Sequence, residues 1–556
     1  MKALRLLLFT LFVLLIASIG LNYYLYKSKG DIHNQIASAE KLFDLNFSSI
    51  QRDSMVDGIK AYRERYKEIH KINLDNSVAP SFIFSPVPVY YKFSSEQNKI
   101  DWNLSKVVVM PENIDQLCFY SVADLSVLIM TKKVSSVALT KMYIERLKKY
   151  DPELHCVITL LEESALKQAQ KADEEIANGK YRGPLHGIPY GVKDLLALKG
   201  FPFTFGSKIY KNQIPEITSP VIQKLDEAGA VLVAKLSLGE FAMDDAWFGG
   251  ITRNPWNTAK GSSGSSAGSA SATSAGLLAF TIGSETWGSI ISPSTVCGVT
   301  GLRPTFGRVS RTGAMALSWT MDKIGPICRT AEDCALVFDV IRGKDGQDPT
   351  LVDLPFNYNP KKDIRTLRIG YVEDYFKEKY DFKTNDSLTL KALQELGVNL
   401  ISIKLPEQIP SMAISIMLEA EAAAAFSDIT LSGKDTMMVR QEKIAWPNIF
   451  RQARFIPAVE YIQASRIRTQ LIAEFMKIFK EVDVIVCPTW GGNQNLMTNL
   501  TGHPALLIPN GFDKDGLPTS ITFFADWYNE ADLLFVGSEY QKKVGFFQKH
   551  PDKFLP

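Results

Sequence analysis

The sequence predicts an α/β fold in which α-helices cover both faces of a central β-sheet. Ala230–Ala234 is a continuous apolar segment that follows a helix beginning at Ser219-Pro220. A strand without polar–apolar alternation is buried on both faces, as in a sheet between two layers of helices. The 556 residues are 46% hydrophobic and 22% charged, which is a globular composition with enough apolar material for a large core.

Helix and strand patterns alternate along most of the chain. Leu139, Tyr143, Leu147 and Tyr150 are spaced as one face of a helix. The other predicted elements are apolar strands and amphipathic helices: strands at residues 188–194, 230–234, 367–372, 400–405, 482–487 and 506–509, and helices at residues 165–178, 220–229, 331–341, 386–396 and 411–426.

The first 26 residues have the pattern of an export signal. Lys2 and Arg5 precede the uncharged apolar run Leu6–Tyr26, and a positive start followed by an apolar segment directs export. The run approaches the ~20 apolar residues that span a bilayer. We therefore predict a signal peptide or membrane anchor at residues 1–26, a helical spacer at 27–114, and an exported, periplasmic or extracytoplasmic catalytic domain at 115–556.

The charge balance argues against partners that bind through a strong electrostatic field. Lys plus Arg total 62 and Asp plus Glu total 60, so the formal net charge is +2, which does not indicate nucleic-acid binding. The six histidines form no HExxH pattern. The sequence predicts a small-molecule substrate, no nucleic-acid partner, and neither a metal nor a cofactor. Membrane contact would involve residues 6–26.

Residues 263–308 combine many serines and glycines with apolar, strand-like segments. Glycine lets backbone N–H groups approach a reacting atom closely, and serine supplies nucleophiles and hydroxyl relays. Phe280–Gly283 and Val296–Val299 interrupt the serine–glycine pattern, which a flexible linker has no reason to contain. The region is therefore predicted to be a catalytic loop system on a rigid sheet.

Three blocks in this region resemble the signature of the amidase signature family. They are G-S-S-x-G-S-A at Gly264–Ala270, G-S-[DE]-T-x-G-S-I at Gly283–Ile290, and C-G-V-x-G-L-[KR]-P-T-x-G-R-V-S at Cys297–Ser310. The length and order of the match make chance a poor explanation. The resemblance implies an amidase-signature fold with a mixed central sheet over about Asp115–Glu539, and amide hydrolysis without a cofactor.

The resemblance also implies a Ser–Ser–Lys catalytic set. Ser289 matches the nucleophile, Ser265 matches a bridging serine in a cis peptide, and Lys193 matches the base. The remaining implied site residues are the oxyanion-hole N–H groups of Thr286, Trp287, Gly288 and Ser289, and the supporting residues Ser266 and Asp194.

The chemistry requires an uncharged lysine. A serine hydroxyl is a weak nucleophile and needs a base within hydrogen-bond reach. Burial lowers the pKa of a lysine because desolvation disfavours its charged form. Lys193 follows the apolar segment Ile188–Val192, which predicts such burial. Lys235 also follows an apolar strand and is an equal candidate on burial alone.

Two positions depart from the family pattern Asp-Thr-Gly-Gly-Ser-Ile-Arg. Trp287 replaces a glycine, and Ile291 replaces the arginine. The first change keeps the backbone N–H group in place unless that site requires a positive φ. The indole is predicted to narrow the acyl pocket or to stack on the substrate. We expect activity to survive, while the substrates of relatives cannot be transferred in detail.

The main functional hypothesis is a serine amidohydrolase that converts a carboxamide to a carboxylate and ammonia or an amine. One alternative is an amidotransferase A-type subunit, which liberates ammonia from glutamine for tRNA-dependent synthesis. The export pattern argues against that alternative, because this synthesis is cytosolic. The other alternative is a non-catalytic scaffold on the same fold. The sequence predicts neither which amide is the natural substrate nor the oligomeric state.

A different hydrolase motif overlaps the first block. Gly264–Gly268 fits G-x-S-x-G, the nucleophile elbow of α/β-hydrolases. That motif requires a preceding apolar strand, and residues 254–260 are not predicted to form a strand. It also requires a downstream histidine, for which His503 is available. We therefore rank this interpretation below the Ser–Ser–Lys set.

Overall fold

The computed structural model describes the backbone of residues 2–72, 74–80, 82–88, 91–102, 104 and 107–556. Side chains are described within these ranges except at residues 2–7, 21–31, 66 and 70. Much of the predicted signal peptide or anchor, residues 1–7 and 21–26, therefore lies outside the described side chains. The chain divides into two compact units, Met1–Asp75 and Asn76–Pro556. Residues 76–114, predicted as part of the spacer, belong to the second unit.

The first unit is a pair of helices, α1 (Lys2–Leu42) and α2 (Ser49–His70). Ser48 caps α2, because its hydroxyl accepts a hydrogen bond from the Gln51 N–H while the Gln51 side chain accepts one from the Ser48 N–H. The Arg52 guanidinium contacts both carboxylate oxygens of Glu40, at 3.0 and 3.2 Å from Nε. This ion pair joins the two helices.

The second unit contains all the described strands. They are β1 (Val157–Leu160), β2 (Pro189–Lys193), β3 (Val231–Leu236), β4 (Ala246–Trp247), β5 (Gly250–Ile251), β6 (Arg253–Asn254), β7 (Asn257–Gly261), β8 (Phe280–Glu285), β9 (Thr300–Arg303), β10 (Lys323–Cys328), β11 (Ile369–Val372), β12 (Leu400–Ile403), β13 (Val484–Pro488), β14 (Ala505–Phe512) and β15 (Pro518–Ala525).

The helices of the second unit separate and cover these strands. They are α3 (Val122–Met130), α4 (Ser136–Leu154), α5 (Glu162–Ala177), α6 (Pro220–Glu227), α7 (Ala267–Ser274), α8 (Ile291–Cys297), α9 (Ala331–Ile341), α10 (Glu373–Lys377), α11 (Lys383–Glu395), α12 (Ser411–Ile414), α13 (Ile416–Ala425), α14 (Ser427–Leu431), α15 (Trp446–Ala453), α16 (Ala458–Ile478), α17 (Gln494–Leu500) and α18 (Glu530–Val544).

Within the described residues, eleven strands form one mixed sheet in the order β1-β3-β2-β8-β10-β9-β14-β15-β13-β11-β12. Helices α7 and α8 pack against its centre, as do α9 and α18. The α/β fold with a mixed, helix-covered sheet is therefore confirmed. Strands β2 and β8 are parallel neighbours, so their carboxyl ends meet at one edge of the sheet. Lys193 and Glu285 end these two strands, and this edge carries the candidate site.

Two of the differences from the sequence-based expectations have a local cause. The helix predicted at 411–426 is divided at Ser415, whose hydroxyl donates to the Met412 carbonyl oxygen at 2.8 Å and competes with the helical backbone. A strand that was not predicted, β7, lies at 257–261, where it pairs with β6 in a two-stranded ribbon outside the main sheet. Neither feature produces an apolar pattern in the sequence. The helix is divided by a single side-chain hydrogen bond, and the ribbon pairs outside the core.

The centre of the sheet should be intolerant of a side chain at Gly325 in β10. A Cβ atom there would lie 2.0 Å from the Leu302 carbonyl oxygen of the neighbouring strand, and the backbone must move to relieve that overlap. Gly325→Ala is expected to lower the free energy of unfolding by about 3 kcal/mol in a urea titration. Gly370→Ala in β11 is the matched control, because its Cβ would meet only side-chain atoms, the nearest being Val482 Cγ1 at 3.0 Å. Equal losses in the two variants would contradict this account.

Candidate active site

Lys193 lies fully buried at the end of β2. Its Nζ atom lies within hydrogen-bond distance of Ser265 Oγ at 2.8 Å, Ser284 Oγ at 2.9 Å and Ser266 Oγ at 3.2 Å. The Ser284 carbonyl oxygen lies 3.4 Å from Nζ. All of these partners are uncharged oxygen atoms. The structure thus brings Lys193 together with two of the serines identified from the sequence.

The surroundings favour an uncharged amine. Burial lowers the pKa of Lys193 well below its ordinary value, and the charges of Asp322 and Glu285 oppose that shift only in part. A desolvated ammonium group without a carboxylate partner is costly. The amine can therefore hold a free lone pair, which is the form that accepts a proton.

Lys235, the rival candidate, has a different environment. It lies in the adjacent strand β3, is equally buried, and forms an ion pair with Asp194. Its Nζ also donates to the Pro202 carbonyl oxygen, while Asp194 accepts a hydrogen bond from the Thr204 N–H at 3.0 Å. The predicted supporting residue Asp194 therefore pairs with Lys235 and holds the loop after β2. Burial alone does not distinguish the two lysines, but the charge partner does.

Ser265 and Ser266 immediately precede α7. The Gly264–Ser265 peptide bond is cis, and Ser265 is almost fully buried. Ser266 Oγ donates to the Ser284 carbonyl oxygen at 3.0 Å, and the Ser266 N–H donates to the Ser289 carbonyl oxygen at 3.1 Å. Ser266 thereby connects the end of β8 to the loop that carries Ser289.

The predicted oxyanion loop, residues 286–289, connects β8 to α8. Ser289 is largely buried, with 8% of its surface exposed. Gly288 has a φ of +83°, whereas Trp287 lies outside the left-handed region, so the tryptophan occupies its position without backbone strain. Within the described chain, the N–H groups of residues 286–289 donate to no acceptor. Four consecutive donors are therefore unpaired beside the Lys193 cluster.

The Glu285 side chain binds the residues that follow this loop. Its Oε2 atom accepts hydrogen bonds from the N–H groups of Ile290 at 2.8 Å and Ile291 at 2.9 Å, and its Oε1 atom contacts Arg303 Nη1 at 2.7 Å and Asn499 Nδ2 at 2.8 Å. Burial opposes ionisation of Glu285, but the Arg303 charge and hydrogen bond outweigh it and lower the pKa to about 2. The carboxylate is thus a fixed anchor for the end of the loop.

The Asp322 side chain binds the first residue of the loop. Its Oδ1 atom accepts a hydrogen bond from Thr286 Oγ1 at 2.5 Å. Its Oδ2 atom accepts hydrogen bonds from the N–H groups of Leu317 at 2.8 Å and Ser318 at 2.9 Å. Neither this role nor those of Ser284 and Glu285 were predicted. Ser284 and Glu285 lie inside a family block, which could have drawn attention to them, whereas Asp322 lies outside every block.

The remaining predicted positions have ordinary surroundings. Trp287 is 40% exposed, and Ile291 is buried at the start of α8. His503 is fully buried, where its Nδ1 atom lies 2.7 Å from Thr501 Oγ1 and its ring stacks on Trp527 at 4.3 Å. Since Ser266 bonds to the Ser284 carbonyl, and the strand before it lies outside the main sheet, the nucleophile-elbow interpretation has no support.

The second unit matches a known protein family over most of its length. A family model described as Amidase matches residues 138–494. This chain belongs to the amidase signature family. The family resemblance predicted from the serine–glycine blocks is thereby confirmed.

The amidase-family relatives cover most of the second unit. The A subunit of glutamyl-tRNA(Gln) amidotransferase from Chloroflexus aggregans is 34% identical over 484 residues, covering 79% of this chain and 99% of its own length. The protein of the same name from Rippkaea orientalis is also 34% identical and covers 78% of this chain and 99% of its own. The native peptide amidase from Stenotrophomonas maltophilia matches with a TM-score of 0.69 at 27% identity, covering 78% of this chain and 98% of its own.

These relatives correct the prediction of export, which is wrong. They carry the name of the amidotransferase A subunit, the alternative against which the export pattern argued. In the part of the chain that the structure describes, no helix combines the length and apolar character needed to span a membrane. The prediction relied on one apolar run, although the helix that contains it continues from Lys2 to Leu42.

The Glu285 anchor gives a stability test. Glu285→Gln keeps the size of the side chain but leaves the Arg303 charge buried without its counter-charge, so the free energy of unfolding is expected to fall by about 3–5 kcal/mol. Asp363→Asn is the control, because the Asp363–Arg365 pair is exposed and its loss should cost less than about 1 kcal/mol. Urea titrations of the three proteins check this, and a Glu285→Gln loss no larger than the control would contradict it.

Proposed function

We propose that this chain hydrolyses carboxamides through an acyl-enzyme on Ser289. The observation that carries the proposal is the buried Lys193 amine, 2.8 Å from Ser265 Oγ and without a carboxylate among its hydrogen-bond partners. The arrangement suits a base that works through a hydroxyl relay. Membership of the amidase family supports the same chemistry.

In the proposed first step, the Ser289 hydroxyl attacks the amide carbonyl carbon. Its proton moves to Ser265 Oγ, while the Ser265 proton moves to the Lys193 amine. The carbonyl oxygen becomes negative, and the free N–H groups of residues 286–289 are available to donate to it. One such donor contributes about 3 kcal/mol to stabilisation of the transition state.

The second half of the cycle reverses the relay. Lys193 returns its proton through Ser265 to the leaving nitrogen, the C–N bond breaks, and ammonia or an amine departs. Water then loses a proton to the same relay and attacks the ester on Ser289. A carboxylic acid is released, and the serine hydroxyl is regenerated.

The assignment of the nucleophile is tested by covalent labelling. Ser289→Ala is expected to abolish labelling by a fluorophosphonate and amide turnover, because the attacking oxygen is absent. Ser292→Ala is the matched control: this nearby hydroxyl pairs with Ser263 Oγ at 2.7 Å and takes no part in the relay, so labelling should persist. Mass spectrometry of the labelled peptide identifies the site. Full labelling of Ser289→Ala would reject the proposal.

The base is tested by the pH dependence of labelling. Lys193 accepts a proton only when uncharged, so the rate should be retained above its lowered pKa and lost as pH falls through that value. Lys193→Met is expected to reduce the rate by about 10²–10⁴-fold and to remove that acid limb. Lys323→Met, which removes another buried lysine, should keep the limb. An unchanged acid limb in Lys193→Met would exclude Lys193 as the base.

A second candidate is an amidotransferase component that draws ammonia from glutamine. The names of the curated relatives favour it, and it uses the same acyl-enzyme chemistry on a different amide. Ammonia release from glutamine and from uncharged carboxamides such as hexanamide and benzamide separates the two. Preference for glutamine would support the amidotransferase, whereas preference for the uncharged amides would support the free hydrolase. A protein that is neither labelled nor active on any amide would be a scaffold.

A further inference from the structure

A cavity of about 320 Å³ opens beside the oxyanion loop. Ser284, which bonds to the Lys193 amine, and Thr286, the first residue of the loop, both line it. Its volume lies at the lower end of the range for small-molecule sites. The cavity therefore reaches the first residue of the loop whose N–H groups would bind the substrate carbonyl under the proposed function.

One wall of this cavity comes from the segment before the family match. We call residues 76–80 and 82–84 the arm; among them, Pro80, Phe82 and Ile83 line the cavity. The lining also contains Leu195, Met315 and other apolar side chains of the catalytic unit. Because the family model begins at residue 138, the arm is a feature of this chain outside the matched region.

The arm is fixed at both ends. At the first end, Asn76 Nδ2 donates to the Ala316 carbonyl oxygen at 2.9 Å, and Asn76 Oδ1 accepts from the Ala316 N–H at 2.8 Å. At the other end, the buried Arg468 guanidinium lies 3.4 Å from the centre of the Phe84 ring. Between these anchors, Phe82 and Ile83 remain 55% and 57% exposed. A half-exposed apolar pair on a fixed segment has area left to bury against a ligand.

The charged groups of the cavity are satisfied within the protein. Arg311 contacts Asp348 Oδ2 at 3.2 Å and donates to the Trp319 carbonyl oxygen at 2.7 Å. Asp322 accepts hydrogen bonds from Thr286 and from two backbone N–H groups. Burial lowers the pKa of Lys323 well below its ordinary value, and its amine donates to the Met321 carbonyl oxygen. A charged substrate group would lose water here without gaining a partner.

We propose that the arm forms a specificity wall that selects amides carrying an uncharged apolar group, which packs against Phe82, Ile83 and the other apolar side chains that line the cavity. This inference rests on the proposed function, because it assumes that the carbonyl binds at the oxyanion loop. It names a substrate class that differs from glutamine, whose α-amino and α-carboxylate groups are both charged. The selecting residues act through packing and take no part in bond making.

The experiment measures labelling of the full chain by two fluorophosphonates, one with an ethyl and one with a decyl chain. The wild type should react faster with the decyl probe. The double variant Phe82→Ala/Ile83→Ala is expected to lower the decyl-to-ethyl rate ratio about tenfold while leaving the ethyl rate unchanged. Val78→Ala is the matched control, since Val78 is an exposed apolar side chain of the same arm, at 51%, that does not line the cavity.

The outcomes separate this inference from the function beneath it. A ratio that falls in the double variant and stays at the wild-type value in Val78→Ala supports the arm as a specificity wall. An equal ratio in all three proteins, with labelling of Ser289 intact, overturns the inference and leaves the proposed function in place. If neither probe labels the protein, the proposed function and the inference are both overturned. The unchanged ethyl rate also reports that the double variant is folded.

Discussion

The site depends on one constraint: an amine must be buried without an opposite charge beside it. Lys193 meets this condition because its partners are the hydroxyls of Ser265, Ser266 and Ser284. These groups satisfy the N–H bonds of an amine but stabilise an ammonium ion less than a carboxylate would. Each nearby element follows from this requirement. The parallel strands β2 and β8 bring lysine and hydroxyls to one sheet edge, and the segment before α7 closes the remaining side.

The three buried lysines near this edge have different neighbouring groups. Lys235 faces Asp194 and forms an ion pair. Lys323 donates to the Met321 carbonyl oxygen, with the Arg303 charge among the groups that disfavour its protonation. Lys193 alone of these three contacts hydroxyls that lead toward a serine loop. Burial is common to all of them, so the three lysines differ in the identity of their neighbours rather than in desolvation.

Two buried carboxylates complete the arrangement without contacting the lysine. Glu285 anchors the end of the oxyanion loop and is balanced by Arg303, while Asp322 anchors its start through Thr286. Both raise the pKa of Lys193 through space, but neither forms a hydrogen bond with it. The loop is therefore rigid at both ends, and its N–H groups stay free. Pre-set donors of this kind need no rearrangement when negative charge develops.

The sequence predicted the candidate reacting residues better than the residues that hold them in place. Ser265 and Ser289 could be predicted because each lies in a block with a distinctive residue order, and Lys193 could be predicted because it ends an apolar segment that the family resemblance matches to the base. Asp322 could not, because its role arises from strand β10 lying beside β8, a long-range pairing that no local pattern encodes. Ser415, where one hydroxyl divides a helix, and the ribbon of β6 and β7 were missed for a different reason, because both are local features that leave no apolar pattern in the sequence. The export error has a related origin, since a hydropathy pattern describes one segment and ignores what the rest of the chain resembles.

Under the proposed function, chemistry and selectivity are encoded in different parts of this chain. The proposed reacting groups lie between residues 193 and 289, inside the family match, whereas Phe82 and Ile83 precede it. Relatives that share the matched region can therefore share the acyl-enzyme reaction without sharing a substrate. A segment that precedes a catalytic unit can change which substrates reach the nucleophile while leaving the proton relay unchanged. This requires that the segment is anchored at both of its ends. Asn76 and Phe84 supply those anchors here, so the name of a relative predicts the reaction more securely than it predicts the amide.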